Sequence, residues 1–160
     1  DAEPTDAYFT AGQIAKYAKD NSFDLILTGK ETINYNGSQV GGMIAEDLDL
    51  PFVSLAVKLD VNGSTLKMEQ EIVGGIQVVE ANLPLVVSCA KGMAEQRIPN
   101  MKGIMGARSK PLKAVEPVAA EPLTGIASFD LPPAKAGVKL VSPDTPEELV
   151  RLLHEEAKVY

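Results

Sequence analysis

The stretch of this chain whose residue types come closest to a recognisable chemistry is Gly29-Lys30-Glu31-Thr32-Ile33-Asn34-Tyr35-Asn36-Gly37-Ser38-Gln39-Val40-Gly41-Gly42-Met43. It follows an apolar run, Phe23-Asp24-Leu25-Ile26-Leu27-Thr28, and leads into a helical pattern. A strand, a small-residue loop and a helix N-terminus in succession can hold phosphate. The first-turn amides have no intrahelical partner, the helix dipole favours an anion, and small residues let backbone approach the ligand. The spacing is neither a Walker A loop nor Gly-x-Gly-x-x-Gly. On residue types alone, an ordinary polar strand-to-helix loop is an equal alternative. Elsewhere the raw material for catalysis is thin. Glu69 and Glu71 have the same parity and share one strand face. They could act as a paired acid and base, but a solvated face is the commoner outcome. His154 is the only histidine and sits late in an amphipathic pattern among Glu155, Glu156 and Lys158, where a cation is mildly favoured. With one His and one Cys, a Ser-His-Asp triad or a Cys/His metal site has poor material, which disfavours a small hydrolase.

The elements that must position the loop read from periodicity. Thr5 or Asp6 can cap a first helix, with Ala7, Ala11, Ile14, Ala15 and Ala18 at helical spacing. Phe23 to Thr28 predicts a short central, parallel strand. Ser38 to Leu48 predicts a second helix with Val40, Met43, Ile44 and Leu48 on one face, and Gly41 and Gly42 permit close approach to ligand or sheet. Val53, Leu55, Val57, Leu59 and Val61 then alternate with polar or small residues, as on a strand with one wet face. Asn62-Gly63 signals a tight turn, Leu66, Met68 and Ile72 continue the alternation, and Gly74-Gly75 turns into a third strand from Ile76 to Glu80. This predicts an antiparallel meander attached to a βαβ start, followed by an apolar strand from Leu83 to Cys89. From Gln96 to Val115 there is no acidic residue among Arg97, Lys102, Arg108, Lys110 and Lys113, and prolines follow, which predicts an extended arm. Thr145-Pro146-Glu147-Glu148 reads as a capping box with proline at N1, opening a helix with Leu149, Val150, Leu152 and Leu153 on its apolar face.

Composition narrows the class. A chain of 160 residues can build one domain with a sizeable core, and 45% hydrophobic content is that of a globular protein. No apolar run has membrane-spanning length, so no membrane insertion is expected. The net charge of −7 argues against nucleic acid as a partner. Cys89 is the only cysteine, which excludes an intrachain disulfide, fits a buried small hydrophobe and points to a reducing, cytoplasmic location.

Several ordered segments change the weight given to the loop. Beside the run from Gly29 to Met43 stand Thr10-Ala11, Leu66-Lys67-Met68-Glu69-Gln70-Glu71-Ile72-Val73-Gly74-Gly75, Leu83-Pro84-Leu85-Val86-Val87-Ser88, Arg97-Ile98-Pro99-Asn100-Met101-Lys102-Gly103-Ile104-Met105-Gly106-Ala107-Arg108, and Pro132-Pro133-Ala134-Lys135-Ala136-Gly137-Val138-Lys139. In this order they resemble the electron transfer flavoprotein β subunit family over most of the chain. The resemblance implies a partial α/β fold, Rossmann-like and adenine-nucleotide-binding, over residues 1–110. Residues 111–160 would be an extended Pro-rich arm and C-terminal helix that pack on a partner subunit. The chain starts at Asp1, inside what the family treats as its middle, and the family's N-terminal βαβ region has no counterpart. The expectation is a piece with an open sheet edge at the strand from Phe23 to Thr28, unable to work alone as a carrier.

The resemblance also implies roles. The protein would be one half of a heterodimeric electron carrier, with FAD held mainly by the α subunit and flavin dehydrogenases as electron donors. No residue of its own need be catalytic. The loop from Thr32 to Val40 would hold AMP, or a second FAD in the electron-bifurcating branch, through Thr32, Asn36 and the backbone of Gly37, Ser38, Gln39 and Val40. Asn34 and Asn36 replace the usual aspartates, keeping hydrogen-bonding capacity without the charge. Val40 is bifurcating-like, whereas the missing aspartate and threonine are not, and AMP is the favoured occupant. Met101 takes the place of the family's exposed apolar anchor for the dehydrogenase, flanked by Arg97 and Lys102, and Glu71 would lie towards the partner subunit and the flavin. A free-standing adenine-nucleotide sensor of the same fold is the competing reading; it would need neither the basic loop nor the arm.

Overall fold

The computed structural model describes residues 6–135 and 137–159. Thr5, the other candidate cap, and Ala136 lie outside the described residues. The elements are α1 (Ala7–Asp20), β1 (Leu25–Gly29), α2 (Val40–Leu48), β2 (Phe52–Asn62), β3 (Thr65–Ile72), β4 (Gly75–Asn82), β5 (Leu85–Cys89), α3 (Met101–Ala107) and α4 (Pro146–Glu155). The chain divides into two compact units, one ending at Gly125 and one running from Ile126.

The first unit is a mixed α/β structure around one five-stranded sheet of order β1-β5-β2-β3-β4. β1 and β2 flank β5 and both run parallel to it, whereas β3 pairs antiparallel with β2 and β4. The expected βαβ start and antiparallel meander are thus one continuous sheet. β1 is parallel as expected, but among the described strands it is an edge, not a centre. This is the open edge that the resemblance implies at that strand; β5, inserted between β1 and β2, is its one neighbour among the described strands. Leu85, Val86, Val87 and Ser88 of β5 are buried, as a parallel strand covered on both faces requires. Val86 packs with Ala11 and Ala15 of α1 and Ile44 and Ala45 of α2. Leu85 and Val87, of opposite parity, join Val53, Ala56, Leu66 and Met68 in a second core.

Three local expectations need correction. Strict alternation along β2 fails: Val53 and Ala56 are the buried pair, and the register shifts between Val53 and Ala56 and again between Ala56 and Lys58. Leu55 sits at φ +53° in this bulge, its amide donating to the Ser88 hydroxyl at 3.0 Å. A bulge lets one strand leave a parallel neighbour and enter an antiparallel pairing. The basic segment is not wholly extended. Asn100 accepts a hydrogen bond from the Gly103 amide at 2.8 Å and caps α3, none of whose residues is buried. In the second unit, α4 starts with Pro146 at its first position, but the Thr145 side chain makes no capping bond. Glu148, the box acid, is held instead by Arg151 at 2.8 Å.

At the start of α1 the Asp6 carboxylate accepts from the Phe9 amide at 2.8 Å. That bond, with further amide donors at Thr124 and Leu123, holds its carboxyl below the ordinary value of 3.8. A carboxylate with a depressed folded-state pKa stabilises fully above its unfolded value and stops doing so as pH falls through the folded one. Urea unfolding of the wild type and of Asp6→Asn should therefore differ by a constant midpoint from neutral pH down to about pH 4. The two curves should converge progressively below that.

Candidate functional site

The loop leaves β1 at Gly29 and ends at α2. Its residues 30–39 are all exposed. It is folded on itself by short-range bonds: the Thr32 hydroxyl to Asn34 Oδ1, the Tyr35 amide to the same oxygen at 2.9 Å, and the Asn36 amide to the Thr32 carbonyl at 3.0 Å. Ser38 donates its hydroxyl to Glu31 Oε2 at 3.3 Å, and Lys30 lies 3.8 Å from the other Glu31 oxygen. Asn36 and Ser38 both have φ near +50°, the left-handed region. Asn adopts it readily; a serine there costs roughly 1–2 kcal/mol. This is why α2 begins at Val40 and not, as the pattern predicts, at Ser38.

The helix N-terminus is open. Gln39 is the N-cap residue and its side chain makes no capping hydrogen bond. The first helical bond runs from the Met43 amide to the Gln39 carbonyl at 3.0 Å. The amides of Val40, Gly41 and Gly42 precede it and have no intrahelical acceptor. They sit past the carboxyl end of β1, the side of an open α/β sheet where ligands bind. What lets the helix come this close to the sheet is Gly41. A Cβ built there would lie 2.7 Å from Thr28 Oγ1 and 3.1 Å from the Phe52 ring. The close approach expected of the glycine pair is therefore to the sheet and belongs to Gly41. Gly42 would meet nothing nearer than 3.6 Å. Thr28 and Phe52, which form this seat, carry no local motif. Glu31 has none either, and only the fold brings it to Ser38.

Thr32, Asn36, Gly37, Ser38, Gln39 and Val40 thus share one loop and helix start. Arg97, Met101 and Lys102 form a second group. Met101 is 74% exposed, with Met105 and Ile104 also exposed on α3. Glu71 is exposed on β3 opposite Ile76 of β4. β3 lies three strand positions from β1, roughly 14 Å at the usual spacing, so Glu71 does not join the loop. Glu69 on the same face pairs with Lys58 at 3.2 Å, the solvated-face alternative to an acid–base pair. His154 is exposed in the last turn of α4. Cys89 ends β5 in register with Gly29, and partial burial pushes its thiol pKa up, away from the reactive thiolate. Among the described residues no cluster of metal-ligating side chains forms, and no helix is long and apolar enough to cross a membrane.

Known proteins resemble this chain in sequence. The electron transfer flavoprotein domain family matches residues 1–120. Electron transfer flavoprotein subunit beta of Bacillus subtilis (strain 168) is 36% identical over 169 residues, covering 99% of this chain and 66% of that protein. The protein of the same name from Syntrophomonas wolfei is 38% identical over 154 residues, covering 96% of this chain and 60% of the relative. The one from Homo sapiens is 33% identical over 151 residues, covering 91% and 58%. The chain therefore spans two-thirds or less of the length of these relatives.

Proposed function

This chain belongs to the electron transfer flavoprotein family, and on that premise we propose that it serves as the β-type half of a two-subunit electron carrier. The match over residues 1–120 carries the reading. When bound, FAD supplies the redox chemistry, accepting electrons from flavin dehydrogenases and passing them to a downstream acceptor. It is held mainly by an α-type subunit. This chain supplies binding and docking, with no acid, base or nucleophile of its own, and works in the cytoplasm.

The open start of α2 holds an adenine nucleotide, AMP in preference to a second FAD. Amides of Gly37, Ser38, Gln39 and Val40 bind the phosphate, with Thr32 and Asn36 at the loop's outer turn. Bonds from amides to phosphate are charge-assisted and so stronger than neutral ones. Two features support this: the N-cap of α2 lacks a side-chain bond, and Gly41 seats the helix against Thr28 and Phe52. Met101 anchors the dehydrogenase, Arg97 and Lys102 steer it, and Glu71 faces the α-type subunit. A nucleotide sensor acting alone would have no use for an exposed apolar helix such as α3.

Ser38→Ile tests the nucleotide site. Serine already carries the cost of the left-handed backbone, and a β-branched residue there is a stronger outlier, adding on the order of 1 kcal/mol, so nucleotide affinity should fall about fivefold. Ser38→Gly, which relieves it, should retain the ligand. Nucleotide released on heat denaturation of the purified two-subunit complex is quantified by chromatography; full occupancy in Ser38→Ile would place the site elsewhere.

A further inference from the structure

Residues 113–124 form a strap along α1. The Lys113 ammonium lies 6.0 Å from the Tyr17 ring centroid. Gln13 grips the backbone of Val118 in both directions: its Nε2 donates to the carbonyl at 2.9 Å and its Oε1 accepts from the amide at 2.7 Å. Asp6 Oδ2 accepts from the amides of Leu123 at 2.6 Å and Thr124 at 2.8 Å, and from the Thr124 hydroxyl at 3.3 Å. Tyr17, Gln13 and Asp6 are spaced by four and seven residues, one face of the helix, so the strap runs antiparallel to α1. Gln13 here stands in for a neighbouring strand by satisfying both polar groups of one peptide residue.

The strap matters because of what precedes it. α3 buries none of its residues, and neither hydrophobic core includes one. A seven-residue helix without packing is marginal by itself and takes its position from its ends. Before it, the Ala90 amide bonds the Ala56 carbonyl at 2.8 Å and Met93 packs on the core. After it, the first side-chain tie to α1 is Lys113. We infer that Gln13 and Asp6 are positioning residues, which by holding 113–124 against α1 set where α3 presents Met101 and Met105 to the redox partner. This rests on the proposed reading of α3 as the docking element.

The test uses the complex of the full-length subunit with its α-type partner. Nitroxide labels go on Lys102→Cys in α3 and Asp47→Cys in α2, in a Cys89→Ser background, and pulsed electron spin resonance reads their distance distribution. Gln13→Ala should broaden that distribution, and exchange of the Val118 amide should speed about tenfold or more from loss of its hydrogen bond to Gln13 Oε1. Val118→Pro, which removes the amide from the other side, should broaden it likewise and add nothing to Gln13→Ala. KM for a reducing flavin dehydrogenase should rise about fivefold with kcat and nucleotide content unchanged, since a mobile anchor lowers the docking-competent fraction. An unchanged distance distribution in both variants overturns the inference. A broadened distribution with unchanged KM supports the anchoring of α3 by the strap and refutes α3 as the docking element.

Discussion

Gly41→Val is expected to destabilise the amino-terminal unit by about 2 kcal/mol and to empty the nucleotide site. Overpacking a filled site costs roughly 1–3 kcal/mol, and valine regains only a few tenths through its better helix propensity. The clash is specific: the new Cβ would meet Thr28 Oγ1 at 2.7 Å and the Phe52 ring at 3.1 and 3.3 Å. Thr28 cannot simply yield, since it belongs to β1 and its hydroxyl faces the Val87 carbonyl at 3.5 Å. The helix must lift, and the Val40 amide at its start and the Gln39 cap move with it. Gly42→Ala is the control. Its Cβ would find ordinary contact at 3.6 Å, so the variant should gain up to about 1 kcal/mol in stability from helix propensity and keep its nucleotide. Urea unfolding and nucleotide content measured on both variants check this. Equal behaviour would mean that α2 is not seated through Gly41.

This pair also shows where sequence reading stops. Two adjacent glycines in a helical pattern look alike, and only the positions of Thr28 and Phe52, each more than nine residues away, separate them. Features set by nearest neighbours along the chain were legible: the alanine face of α1, the Asp6 cap, and buried Leu66 and Met68 in a hairpin. Features set by distant partners were not. The bulge at Leu55 depends on Ser88, thirty-three residues away. The pairing of β1 with β5, where Leu25 meets Leu85 sixty residues on, depends on β5 inserting between β1 and β2. α3 was hidden differently: Pro99, Gly103 and Gly106 argue against a helix, and the cap at Asn100 is the one local signal for it. In α4 the capping box was present in sequence, but Arg151 captures Glu148 and Glu155 together. For the candidate site, the run of residues was legible, whereas the left-handed Ser38 and the Glu31 contact were not.

Met101→Ala is expected to weaken binding of the donor dehydrogenase by about thirtyfold, the effect of a central hot-spot side chain worth roughly 2 kcal/mol. Electron-transfer complexes are small, so one buried anchor holds a large share of their affinity. Met101 is 74% exposed and contributes to neither core, so its truncation should leave stability, flavin spectrum and nucleotide content unchanged. Charge reversal at Lys102 should act differently, lowering the association rate and flattening its salt dependence, because rim charges govern encounter. A destabilised subunit would lose nucleotide and partner together.

The central claim is that this chain is needed for electron entry into a flavin held by another subunit. Anaerobic stopped-flow reduction tests it most directly. The full-length subunit and its α-type partner are mixed with a catalytic amount of flavin dehydrogenase and that enzyme's substrate, and flavin absorbance is followed. Rapid bleaching with both subunits, slow bleaching with the α-type subunit alone, and slowed bleaching with Met101→Ala at sub-saturating dehydrogenase are the results expected. Bleaching that proceeds at the same rate without this chain would contradict the account.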